Sequence, residues 1–194
     1  MDYQTKLLER LSFMAENFST LCPGFPIMFY TSENKSNLAQ IRIMRDDFEL
    51  LKSHYISCFE ISHKVLKMLV GMINVFLRGN GDSFPEGKPQ SLERFTKLPN
   101  AQKPNFLDST TLPIISAQWN VFFDRKIRNA IGHYGIRHDL RTGLLVQDDN
   151  EDAPIPYSEF VVKNLELLPL LQYCLHVTKK MYAIKIILGE GISN

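Results

Sequence analysis

From Leu38 to Phe76, the apolar residues Leu38, Ile41, Met44, Phe48, Leu51, Tyr55, Phe59, Val65, Leu69, Met72 and Phe76 return at helical spacing. Residues three and four apart share one side of a helix, so this run is one apolar stripe. No proline interrupts it and Gly71 is its only glycine. The pattern predicts one very long helix, or two with a subtle break, stopping at Gly79-Asn80-Gly81. A stripe that long must be covered along its whole length, which suits the central helix of an antiparallel bundle.

The flanking segments fit the same class. Leu7, Leu11, Met14 and Phe18 form a shorter helical stripe, expected to end before Cys22-Pro23-Gly24-Phe25-Pro26. A third helix is predicted from about Leu112 to His133, with Ile115, Trp119, Phe122, Ile127 and Ala130 facing inward. Pro113 suits its first turn, and Gly132 and Gly135 suit its end. The period then switches. Residues 136 to 147 read as a β-hairpin turned by Thr142-Gly143. The acidic run Asp148-Asp149-Asn150-Glu151-Asp152 reads as a solvated loop. Tyr157 to Leu188 reads as the last helix, with Leu165, Leu168, Leu171, Leu175 and Tyr182 inward and a kink at Pro169. Residues 79 to 111 hold Pro85, Pro89, Pro99 and Pro104 and read as a partly ordered insertion, with a short helix at Ser91 to Lys97. The expectation is an all-α, antiparallel helical bundle with a β-hairpin inserted before the last helix, in one domain covering 1–194.

Composition removes several function classes. Apolar residues make up 44% of the chain, with 13 Phe and 7 Tyr, which is the profile of an ordered globular protein. The formal net charge of +1 offers no global attraction to nucleic acid, so any phosphate-binding surface must be local. Cys22, Cys58 and Cys174 are odd in number and contain no Cys-x-x-Cys pair, which argues against a disulfide framework or a thiolate zinc site. No cluster of carboxylates and histidines has metal-ligand spacing, so neither a metal nor another cofactor is expected. The start at Met1-Asp2-Tyr3 has no apolar signal core, and no stretch reaches membrane-spanning length. A soluble, cytoplasmic protein without membrane contact is expected.

One segment carries chemistry: Asp124-Arg125-Lys126-Ile127-Arg128-Asn129-Ala130-Ile131-Gly132-His133-Tyr134. On an ideal helix Asn129 and His133 share a face one turn apart, and Arg128 lies about 140° round the axis from His133. A long arginine side chain spans that angle, so the three can converge at one helix end. Arginine offers a permanently charged fork that matches two phosphate oxygens. Histidine moves a proton near neutral pH. Those two functions suffice to cleave RNA through its own 2′-hydroxyl without a metal. The competing reading is that Arg128 and His133 merely cap helix carbonyls in a helical interaction protein.

The run from Ile127 to His133 resembles the signature of the HEPN superfamily (higher eukaryotes and prokaryotes nucleotide-binding), an Arg, a polar residue that is often Asn, and a His a few residues later. The neighbourhood is similar too, since many bacterial members place a β-hairpin and a long last helix directly after the His. The similarity covers roughly residues 112 to 188. It implies a helical bundle that forms a homodimer, with two copies of the motif meeting in one cleft. It also implies that Arg128 binds the scissile phosphate, His133 transfers protons and Asn129 orients the site. Family members include toxin, abortive-infection and CRISPR-associated ribonucleases, some held by a cognate inhibitor or partner domain, and some act only as silent RNA- or nucleotide-binding modules. One subgroup carries a modified Tyr two residues after the His. Here Gly135 occupies that place and Tyr134 follows the His directly, a departure from that form of control.

Arg125, Lys126, Arg137 and Arg141 surround the motif and read either as a guide for an RNA backbone or as a solvated face with hairpin edge charges. His138 reads as a surface residue. His54, His63 and His176 read as structural, and Trp119 as core.

Overall fold

The computed structural model describes residues 3–28, 41–45, 47–87, 89–99, 102–107, 119, 127, 131, 136–147 and 150–187. These are mostly helical, with one small antiparallel sheet. The helices are α1 (Tyr3–Glu16), α2 (Phe18–Leu21), α3 (Gly24–Met28), α4 (Phe48–Arg78), α5 (Leu92–Thr96) and α6 (Tyr157–Ile187). The strands are β1 (Ile136–Asp139), β2 (Leu144–Gln147) and β3 (Asn150–Pro156), in the order β1-β2-β3. Trp119, Ile127 and Ile131 are also helical, and each is buried. Among the described residues no helix is long and apolar enough to cross a membrane.

The chain forms two compact units. The first takes Met1–Leu8, Phe59–Phe123 and Leu171–Asn194. Its core holds Val65, Leu66, Leu69, Val70 and Ile73 of α4 and Leu171, Cys174 and Val177 of α6. The described part of the segment after α4 is anchored here and holds the short helix expected at Ser91 to Lys97. Gly79 ends α4 at φ 75, a conformation that glycine adopts without a Cβ clash, and its N–H bonds to the Val75 carbonyl. Asn74 Nδ2 donates to the Gly81 carbonyl at 2.9 Å, and the Asp82 carboxylate accepts the Leu92 N–H at 2.7 Å. Ser91 caps α5, its hydroxyl accepting from the Arg94 N–H. Phe84, Phe95 and Phe106 then make a three-ring cluster, with Phe95 and Phe106 edge to face at 5.5 Å. Leu92 lies against α4 where Gly71 leaves room, since a Cβ there would meet Leu92 Cδ1 at 3.0 Å.

The second unit takes Glu9–Cys58 and Asp124–Leu170. Its centre is an aromatic nest of Phe48, Tyr55, Tyr157 and Phe160, with ring centroids 5.6–6.4 Å apart. Each such ring taken from water contributes about 1.5–3 kcal/mol. Gly24 starts α3 in close contact with α6, where a Cβ would meet Leu165 Cδ1 at 2.7 Å.

Several expectations need correction. The long helix begins at Phe48, while Ile41 to Arg45 are irregular; there Ile43 is buried and Met44 is 59% exposed. Cys22-Pro23-Gly24 does not end regular structure, because α3 follows with Pro26 in its first turn, where a missing N–H costs no helix bond. The hairpin is real, with His138 opposite Leu145 and Asp139 opposite Leu144. The acidic segment after it is not all loop: β3 starts at Asn150 and makes a third strand. The stripe expected on α6 holds in part: Leu165 and Leu171 are buried, as are Val161, Asn164, Cys174, Val177 and Thr178, Leu168 and Leu175 are half-buried, and Tyr182 is 46% exposed. Asn164 and Thr178 belong there because their side chains donate to the carbonyls of Phe160 and Cys174.

Candidate functional site

Of the predicted site, Arg128, Asn129 and His133, with Arg125 and Lys126, lie outside the described residues. Their neighbours Ile127 and Ile131 are helical and buried. Arg137 and Arg141 are described, and both belong to the hairpin that follows the motif.

The hairpin is organised by its turn. Gly143 sits at φ 72, and its N–H donates to the Asp139 carbonyl at 2.8 Å. The Asp139 carboxylate accepts the Thr142 hydroxyl at 2.8 Å and the Arg141 N–H at 3.0 Å. The Thr142 bond, then the Arg141 N–H, hold its carboxyl below the usual range, so it stays ionised as an intramolecular brace. Alternation along β1 sends Ile136 and His138 to one face and Arg137 and Asp139 to the other. Burial agrees: Ile136 is buried and Arg137 exposed. Arg141 is exposed within the turn. The two arginines therefore share the hairpin but not a single point: one faces out from the strand and the other stands at the tip.

His138 departs from the expectation of a surface residue. Its ring lies 4.0 Å from the Tyr157 ring, tilted by 33°, and its ring nitrogens are shielded from solvent. Tyr157, the first residue of α6, also donates its N–H to the Gly143 carbonyl at 2.9 Å. These two contacts fasten the hairpin to the start of α6. The alternation Ile136-Arg137-His138-Asp139 contained the signal for an inward His138, though its polarity argued the other way.

A further arginine was hidden in the presumed long helix. Arg42 is exposed and irregular in conformation, and its Nη1 donates to the Arg141 carbonyl at 3.4 Å. A Cβ on Gly143 would meet Arg42 Cγ at 3.3 Å, so the arginine stem lies directly over the turn.

The remaining titratable groups are poor catalysts. His54 is 1% exposed, with Nε2 3.3 Å from Cys58 Sγ, and burial together with the charge of Arg10 lowers its pKa to about 4. It is a neutral imidazole at physiological pH. Burial pushes the Cys174 thiol up to about 12, against the opposing bond from Ser62. His63 Nδ1 lies 2.9 Å from the Phe59 carbonyl, so that nitrogen carries a proton and the ring serves the helix. Among the described residues no group of three His, Cys, Asp or Glu could hold a metal ion. Comparison with protein-family models, curated proteins and solved structures finds no match to this chain.

Proposed function

We propose that this chain is a metal-independent endoribonuclease of the HEPN type, folded as an antiparallel helical bundle and active as a homodimer. The observation that supports it is an order of elements: the Arg128-Asn129…His133 segment is followed by the hairpin β1 and β2, extended by β3, and then by the 31-residue helix α6. That order accompanies the motif in the family it resembles. In the proposed reaction the RNA 2′-oxygen attacks its neighbouring phosphorus. His133 moves protons between the 2′-hydroxyl and the leaving 5′-oxygen, and the products are a 2′,3′-cyclic phosphate and a free 5′-hydroxyl. Arg128 stabilises the charge on the phosphoryl oxygens and Asn129 orients the site. Arg125, Lys126, Arg137 and Arg141 guide the RNA backbone toward it. A cytoplasmic location, a defence or toxin role and control by a cognate inhibitor belong to the same proposal by family analogy.

Incubation of wild type, Arg128→Ala and His133→Ala with mixed RNA in EDTA tests the reading. The expected result is cleavage by wild type and a loss of about 10²–10⁴ in rate for each variant. Equal RNA decay in all three would sink it. Absent cleavage with RNA binding weakened in both variants would instead identify a silent binding module.

A further inference from the structure

We propose that the Arg42 guanidinium, laid across the β1–β2 turn beside Arg141, is a phosphate clamp for single-stranded RNA. This rests on the ribonuclease reading for its choice of ligand, and it adds a residue from a distant part of the chain to the binding surface.

Two features carry it. First, Arg42 is positioned rather than loose. Its stem packs over Gly143, where an added Cβ would meet Arg42 Cγ at 3.3 Å, and one of its N–H groups donates to the Arg141 carbonyl at 3.4 Å. Guanidinium has five N–H donors, so this anchor leaves most of the fork exposed to bind phosphate oxygens. Second, both arginines are exposed at one tip, and among the described residues no carboxylate pairs with Arg42. The nearby Asp139 carboxylate accepts from the Thr142 hydroxyl and the Arg141 N–H and braces the turn; its charge also acts on Arg141, which leaves Arg42 as the cation of the tip that no carboxylate of the described residues offsets directly. Phosphates repeat along an RNA strand, so two exposed arginines on one turn favour that backbone over an isolated anion.

The test is anisotropy of a fluorescein-labelled oligouridylate across a salt series, with the full chain carrying His133→Ala to prevent cleavage. Arg42→Gln keeps the stem over Gly143 and removes the charge. It should weaken binding about fivefold at about 0.1 M salt and flatten the log K against log salt slope by about 0.7. Arg141→Gln should do the same, and Arg42→Lys should keep most of the slope. Lys179→Ala/Lys180→Ala, on exposed positions of α6, should change neither. Wild-type affinity and slope in Arg42→Gln/Arg141→Gln would overturn the proposal. So would an Arg42→Lys variant as weak as Arg42→Gln, or equal binding of polyglutamate with the same dependence on Arg42. The two readings fail separately. RNA decay indifferent to Arg128 and His133 removes the ribonuclease but not the clamp. Cleavage that needs those residues, with binding indifferent to Arg42 and Arg141, removes the clamp alone.

Discussion

The imidazole of His54 lies flat on the ring of Phe13, with centroids 4.3 Å apart and planes 11° from parallel. The unfolded chain takes a proton on this histidine near its ordinary 6.5, whereas the folded chain resists until about pH 4. The stability held by the neutral ring is therefore complete above pH 6.5 and drains away as pH falls from 6.5 toward 4. That interval is worth about 3 kcal/mol at most. Denaturant melts across it should show the decline. His54→Phe, which keeps a stacking ring but cannot titrate, should flatten the curve; an unchanged slope would contradict the assignment.

Gly143 stands at φ 72 with the Arg42 stem pressed on it. Gly143→Ala should cost about 1–2 kcal/mol, from left-handed strain and from displacement of Arg42. In an Arg42→Ala background the same substitution should cost less. Thermal melts of the four-member cycle measure the difference.

Phe95 is fully buried between Phe84 and Phe106. Phe95→Ala should cost about 3–5 kcal/mol and Phe95→Leu much less. If the cluster anchors the segment after α4, limited proteolysis of the alanine variant should cut first between residues 79 and 107.

Pro169 lies inside α6 on an exposed position and cannot bond to the Leu165 carbonyl. Pro169→Ala restores that donor without altering the core. A gain of about 1–3 kcal/mol is expected, read as a higher denaturation midpoint at unchanged m-value.

The thiols should separate by reactivity. Cys22 is exposed, whereas Cys58 and Cys174 are buried. A thiol reagent at neutral pH should modify Cys22 rapidly and the other two only after unfolding, with Cys174 held protonated by burial. Fast reaction of Cys174 in the folded chain would contradict the fold.

Periodicity located what backbone and burial decide together. The helix from Phe48 past Leu69, the start of α6 at Tyr157 and the turn at Thr142-Gly143 were legible because long repeats and glycine turns leave few alternatives, whereas Phe76, placed on the same stripe, is 80% exposed. The failures share a cause. Ile41 and Met44 have helical spacing with Phe48, yet over so short a span an irregular segment burying Ile43 fits equally well. β3 was missed because its strand character comes from pairing with β2, not from its own residues Asn150-Glu151-Asp152-Ala153-Pro154-Ile155-Pro156. The polar positions on the buried face of α6 escaped because the Asn164 amide N–H and the Thr178 hydroxyl donate to the preceding turn, which hydrophobicity does not reveal. Of the candidate site, the motif was legible as chemistry, whereas Arg42 was not: its partner Arg141 is 99 positions away.

β3 has one more consequence. Since the Tyr157 N–H points to Gly143, alternation turns the backbone of Ile155 toward β2 and that of Pro156 away from it, with the register shift lying before Ile155. That outward position has no N–H to offer, and Pro154 in the shifted stretch has none either. A neighbouring chain seeking to extend the sheet on that side meets missing donors at both prolines, so this edge is a poor template for aggregation. The prolines that disguise the strand in the sequence thus protect it from self-association, and Pro154→Ala/Pro156→Ala should leave the fold intact while making concentrated protein more prone to fibre formation.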